Sequence, residues 1–256
     1  MIAPLALGLL AVTGTLCAQT GRIAALERTV EAQRKLIRDW GGLIRYGSAN
    51  AELGRPKPGE RRVVFFGDDA TEHWGKGGSE FFPGRPYVNR GIAGQSTPQL
   101  LVRFRQDVVA LKPKAVVIQG GMHDISGRAV PGTRGMIAEH VESMVDIAER
   151  NGIRVIVASL LPVCECGSPL APYLPRGQIF GVNDWLEEFA DQRGLVYLNY
   201  YPALALGRNF NHKLTDDGVV PNAAGYAVMA LMAEEAIRLA LEGRDGSGPR
   251  STAQAP

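Results

Sequence analysis

Cysteine is scarce in this chain, with Cys17, Cys164 and Cys166 the only three in 256 residues. Three cysteines make no disulfide framework, and the Cys164-Glu165-Cys166 spacing lacks the paired clusters of a zinc site, so a structural or incidental role is expected for them. An excess of charge is also missing. With 28 basic and 26 acidic residues the formal charge is +2, which leaves no electrostatic footprint for nucleic acid or an anionic membrane surface. Imidazole chemistry is confined to four histidines, and no recognised metal-binding spacing accompanies them. Neither a cofactor nor a bound metal is expected.

What is present is enough apolar residue for one large α/β domain: 45% of the chain is hydrophobic, with 31 Gly and 16 Pro. Met1–Ala18 is apolar and uncharged, short for a membrane span and better suited to the hydrophobic region of a secretory signal. A secreted or periplasmic protein is expected, with an N-terminal membrane anchor as the alternative, because no Lys or Arg precedes the run. From residue 22 to 53, Ile23, Leu26, Val30, Ile37, Trp40 and Ile44 recur mostly three or four apart among Arg and Glu. The spacing predicts an amphipathic helix, packed on the domain or serving as an oligomerising arm. Gly54-Arg55-Pro56-Lys57-Pro58-Gly59 ends it, and a tail from Gly243 rich in Gly, Ser, Pro and Ala reads as disordered.

Between residues 60 and 242 the patterns alternate. Strands are predicted at Val63–Phe66, Tyr87–Asn89, Ala115–Gln119, Arg154–Ser159 and Val196–Asn199, and helices at Thr97–Leu111, Met136–Asn151, Gln178–Arg193 and Ala223–Leu241. Short apolar strands separated by long helices predict a parallel sheet with helices on both faces. The loops after the strands then share one edge, where sites in such sheets form. The organising stretch is Arg62–Trp74, in which an apolar strand ends in Gly67 and the carboxylates Asp68 and Asp69.

Four blocks resemble the SGNH/GDSL hydrolases, the lysophospholipase L1-like esterases, over roughly Arg62 to Leu241. Phe66-Gly67-Asp68-Asp69 resembles the block that carries the nucleophilic serine, here Asp69. Asn89-Arg90-Gly91-Ile92-Ala93-Gly94-Gln95-Ser96 resembles the second block, in which Gly91 fits the oxyanion donor. Gly120-Gly121-Met122-His123-Asp124 resembles the third, with His123 at the asparagine donor. Asp217-Gly218-Val219-Val220-Pro221-Asn222 resembles the last, with Asp217 kept and Val220 at the general base. The resemblance implies a three-layer α/β/α sandwich on a five-stranded parallel sheet, flavodoxin-like, preceded by the amphipathic helix. It also implies an esterase or acylhydrolase, here as a pseudoenzyme that binds an acylated glycan or lipid-like ester.

Two alternatives stand beside that expectation. One is an unconventional hydrolase working through Asp69 and His123, with or without a divalent metal held with Asp68 or Asp124. The other is a scaffold assembling through the 22–53 helix. Asp68 and Asp124 also suit blander roles, bonding loop N–H groups at strand ends. His73, four residues after Asp69, reads as a surface or capping residue, and His140, among Glu139 and Glu142, as solvated. His212 lies in a polar loop and is assigned no role.

Overall fold

The computed structural model describes residues 19–31, 33–34, 37–76, 80–126, 133–164 and 176–243. The chain divides into two units, Met1–Ile44 and Arg45–Pro256. In the first, α1 is helical at 19–31, 33–34 and 37–38 and gives way to turns over 39–46. The predicted continuous helix over 22–53 is therefore two pieces. The break falls at Gly41-Gly42, where Gly42 takes φ +69°, a conformation that costs glycine little and other residues more. The Asp39 carboxylate holds the turn by accepting the Leu43 and Ile44 N–H groups at 2.7 and 3.1 Å. The leader through Ala18 and the tail after Gly243 lie outside the described residues.

The second unit opens with α2, Gly47–Leu53, followed by the breaker segment with Gly54 and Gly59 at positive φ. Five strands follow: β1 Val63–Gly67, β2 Tyr87–Gly91, β3 Ala115–Gln119, β4 Arg154–Ala158 and β5 Val196–Leu198. They pair in parallel in the order β2-β1-β3-β4-β5, so the predicted five-stranded parallel sheet is found. Interleaved with them are α3 Asp69–His73, α4 Thr97–Asp107, α5 Met122–Ile125, α6 Arg134–Arg150 and α7 Arg176–Arg193. The unit ends with α8 Tyr201–Leu204, a two-stranded ribbon of β6 Ala205–Leu206 and β7 Asn209–Phe210, and α9 Ala223–Glu242.

β1 and β3 are buried at every position, as expected of a strand covered on both faces. Alternation along the strand then builds two cores. Val64, Phe66, Val116, Ile118, Val155 and Val157 face one, packed by Leu100, Phe104, Ile137, Val141, Ile179 and Leu186 of α4, α6 and α7. Val63, Phe65, Ala115, Val117, Ile156 and Ala158 face the other, packed by Met229, Ala233 and Ile237 of α9 and by Trp74. Two thick layers hold the sheet rigid, and the polar groups just past the strand ends are delivered to one edge.

Candidate active site

The site begins where β1 stops. Gly67 has no room for a side chain, since a Cβ there would lie 2.2 Å from the Gln119 carbonyl and 2.4 Å from Thr71 Oγ1. The chain turns directly into α3, which starts at Asp69 and puts His73 one turn on. His73 Nδ1 sits 2.8 Å from the Asp69 carbonyl, so His73 caps its own helix.

Asp69 Oδ2 is the focus of the edge. It accepts the Gly94 N–H at 2.8 Å and lies against His123 Nε2 in a short hydrogen bond. Burial alone would raise the Asp69 pKa, but the bonds from His123 and Gly94 outweigh it and hold the carboxyl below its ordinary range. His123 shows the mirror image: burial works against its charge, while the bond to Asp69 and the charges of Asp68, Asp69 and Asp124 raise it. The two form an ion pair when His123 is protonated.

Beneath them Asp68 is buried, and its Oδ2 has no hydrogen-bond partner. Burial, then the neighbouring Asp69 charge, push its pKa up to about 7, with His123 pulling the other way. Asp124 is a brace. Its carboxylate accepts the Thr97 N–H at 2.9 Å and the Thr97 hydroxyl at 2.6 Å, clamping the start of α4 to α5. His140, expected to be solvated, instead meets Thr97 Oγ1 at 2.9 Å through Nδ1.

Gly91 is not the donor that faces Asp69. Its N–H goes to Asn89 Oδ1 at 2.9 Å, and a Cβ on it would lie 2.1 Å from the Glu72 nitrogen. Gly91 is needed because α3 packs directly on β2. The donor is Gly94, three residues on, at φ +81° with open space around it. Both glycines stand in the same stretch, and spacing alone does not say which N–H points at the acid. The Gly94 loop is held from several sides. Ala93 N–H reaches Glu72 Oε2 at 2.5 Å, and the Gln95 side chain accepts from Arg103 Nε at 2.6 Å.

Arg103, fully buried, also donates to the carbonyls of Gly67 at 3.0 Å and Arg90 at 2.8 Å and pairs with Asp107 at 3.1 Å. Its guanidinium lies 4.2 Å from the Phe66 ring centroid. It thus joins the ends of β1 and β2 to the loop that carries Gly94. Nothing in the spacing singled it out beforehand. The Tyr46 hydroxyl donates to the Gly91 carbonyl, and Arg90 Nη1 to the Asn89 carbonyl at 2.8 Å.

Asp217 closes the loop before α9, accepting the Val219 and Val220 N–H groups at 2.8 Å each. Val220 is partly buried against the α9-side core and offers no proton acceptor. Tyr226 of α9 brings this loop to α3, with its hydroxyl bonded to the Ala70 carbonyl at 2.9 Å and its ring stacked on Trp74 at 5.2 Å. Burial chiefly, then the charges of Asp217, Asp68 and Asp69, push its pKa up.

Cys164, for which a structural or incidental role is expected, is disulfide-bonded. Its N–H donates to the Gly218 carbonyl at 2.9 Å, next to Asp217. Among the described residues no group of three His, Cys, Asp or Glu side chains is disposed to hold a metal ion.

Chemically, one carboxylate oxygen occupies the point where a backbone N–H and an imidazole converge. That arrangement of donors stabilises an oxyanion when the point is vacant.

The chain matches the GDSL-like lipase/acylhydrolase family over residues 55–228. No curated protein matches it. Among solved structures it is similar to a proposed acylhydrolase from Bacteroides fragilis, at 35% identity over 79% of this chain and 99% of that one, with a TM-score of 0.74. A GDSL-like lipase from Bacteroides thetaiotaomicron is 33% identical over 78% of this chain and 99% of that one, with a TM-score of 0.73. A catalytic mutant of an acetylxylan esterase from Geobacillus stearothermophilus shares the fold at 18% identity, covering 69% of this chain and 94% of that one, with a TM-score of 0.57. With its parallel sheet, its four sequence blocks in order and the match across most of its second unit, the chain belongs to the GDSL-like lipase/acylhydrolase family.

Proposed function

We propose that this family member binds an acylated glycan or lipid-like ester at the Asp69 edge without cleaving it by the family's serine mechanism. The observation that carries the reading is that Asp69 Oδ2 takes both the Gly94 N–H and His123 Nε2. Acyl transfer needs an activated nucleophile and donors free to receive a developing oxyanion. Here the nucleophile position holds a carboxylate, which fills the donors itself. An ionised carboxylate about 4 Å from an oxyanion adds ~4 kcal/mol at an effective dielectric near 20, roughly three decades in rate. Val220, at the position of the base, takes no proton. The uncharged apolar run through Ala18 supports export as the setting, which mass spectrometry of the mature N-terminus tests.

The deciding experiment is a panel of short-chain nitrophenyl esters, with and without Mn²⁺ or Zn²⁺. The unmodified chain, Asp69→Ser and Val220→His are each expected to be inactive. Asp69→Ser combined with Val220→His is expected to hydrolyse esters, because the new imidazole then has a hydroxyl to activate and Asp217 to orient it. Adding His123→Asn should raise that rate, by up to about 10²–10³ for one oxyanion donor. Ester hydrolysis by the unmodified chain that Asp69→Ala abolishes would replace this reading with a hydrolase that works through Asp69 and His123.

A further inference from the structure

In the first unit, the apolar side chains of α1 stand outward: Ile23 is 56% exposed, Leu26 64%, Val30 43% and Ile37 80%. Their spacing is three, four and seven residues. With Gln33, which is also exposed, they fall on a heptad in which Ile23, Val30 and Ile37 take position a, and Leu26 and Gln33 take position d. β-branched residues at every a position suit a parallel two-stranded coiled coil, and one polar residue in the seam fixes register at some cost in stability.

The flanking charges carry the same message. Arg22 takes position g and Glu27 the e position of the next heptad. In a parallel pair in register, these two sites face each other across the seam, so Arg22 of one copy meets the partner's Glu27, twice by symmetry. An antiparallel pair sets g against g and e against e and loses that match. A membrane-surface helix would instead show a broad apolar face with Trp or Phe, and residues 19–38 contain no aromatic side chain.

From the seam and its charges we infer that α1 is the dimerisation element of this protein and that its occupant is a second copy of the same helix, parallel and in register. The described helix extends over about two and a half heptads, near the length at which isolated helices are marginal. The expected assembly is a weak dimer whose population rises with concentration.

Sedimentation equilibrium of the full chain tests this over a wide concentration range. A monomer–dimer equilibrium is expected, and Val30→Lys should leave only monomer. Arg22→Glu or Glu27→Arg alone replaces two attractions with two repulsions and should raise the dimer dissociation constant about tenfold. Mixing those two variants should recover the original affinity in a heterodimer. These positions are exposed, so the second unit should stay folded throughout. A chain monomeric at every concentration overturns the inference, and so does a dimer that survives Val30→Lys. A dimer broken by Val30→Lys but indifferent to both charge changes overturns the parallel arrangement.

Discussion

Tyr226 of α9 donates its hydroxyl to the Ala70 carbonyl of α3 at 2.9 Å, across 156 residues of chain. The bond joins the last sequence block to the first, and the ring stacked on Trp74 seals it. Tyr226→Phe keeps the stack and removes only the hydroxyl. The expected loss is about 1 kcal/mol, as for one intramolecular hydrogen bond, read as a lower urea midpoint with an unchanged slope.

Asp68 makes stability depend on pH. Its pKa is raised from 3.8 to about 7, so the folded chain holds the proton more tightly than the unfolded one. Stability from this group is greatest below 3.8 and falls as pH rises through about 7, by at most about 1.4 kcal/mol per pH unit. His123, also raised, adds stability below its ordinary value of 6.5 that is lost as pH rises further. Asp69, lowered from 3.8, acts oppositely and only at the acid end. Asp68→Asn should flatten the decline between about pH 4 and 7 and, by removing one of the charges that raise His123, shrink the His123 decline above it. Urea unfolding at a series of pH values checks this, and an unchanged profile would show that Asp68 is ionised in the folded chain.

Two glycines of the second block should respond differently to alanine. Gly91→Ala drives a methyl to within 2.1 Å of the Glu72 backbone nitrogen and should prevent stable folding, since backbone on both sides cannot yield. Gly94→Ala meets no atom within 4 Å but stands at φ +81°. It should fold, with a cost on the order of 1 kcal/mol for the left-handed conformation. Expression yield and thermal melting separate the two. Equal losses would contradict the assignment of steric need to Gly91 and donor geometry to Gly94.

Much of the sheet was legible because β1 is apolar throughout and β3 is apolar up to Gln119, and each is set off by Gly or Pro. Helices α4, α6, α7 and α9 begin and end within a few residues of their predicted limits for the same reason. Helix α1 was read too long: apolar residues keep their three-and-four spacing through Trp40 and Ile44, and periodicity does not register that Gly41-Gly42 lets the backbone turn. The ribbon around Gly207-Arg208 was missed, although two short segments flanking a glycine are a hairpin signal.

At the site, Asp69 and His123 were legible as a pair since both follow strands that neighbour each other in the sheet. The choice between Gly91 and Gly94 was not, because it turns on which glycine α3 leans against. His140 was placed in solvent by its acidic neighbours in sequence, whereas its contact is with Thr97 on another helix. Arg103 was invisible because the carbonyls of Gly67 and Arg90 that it joins are brought together only by the fold.

β2 lies at one margin of the sheet, and an edge strand ordinarily offers its backbone to any passing strand. Here the outward carbonyls of Asn89 and Gly91 already accept side-chain donors, from Arg90 and Tyr46 in turn, and the Gly91 N–H is held by Asn89. The polar network that shapes the site therefore also covers the Asn89–Gly91 end of this margin against strand addition by a neighbouring molecule. Loosening it would expose an adhesive edge as well as disturb the Gly94 loop.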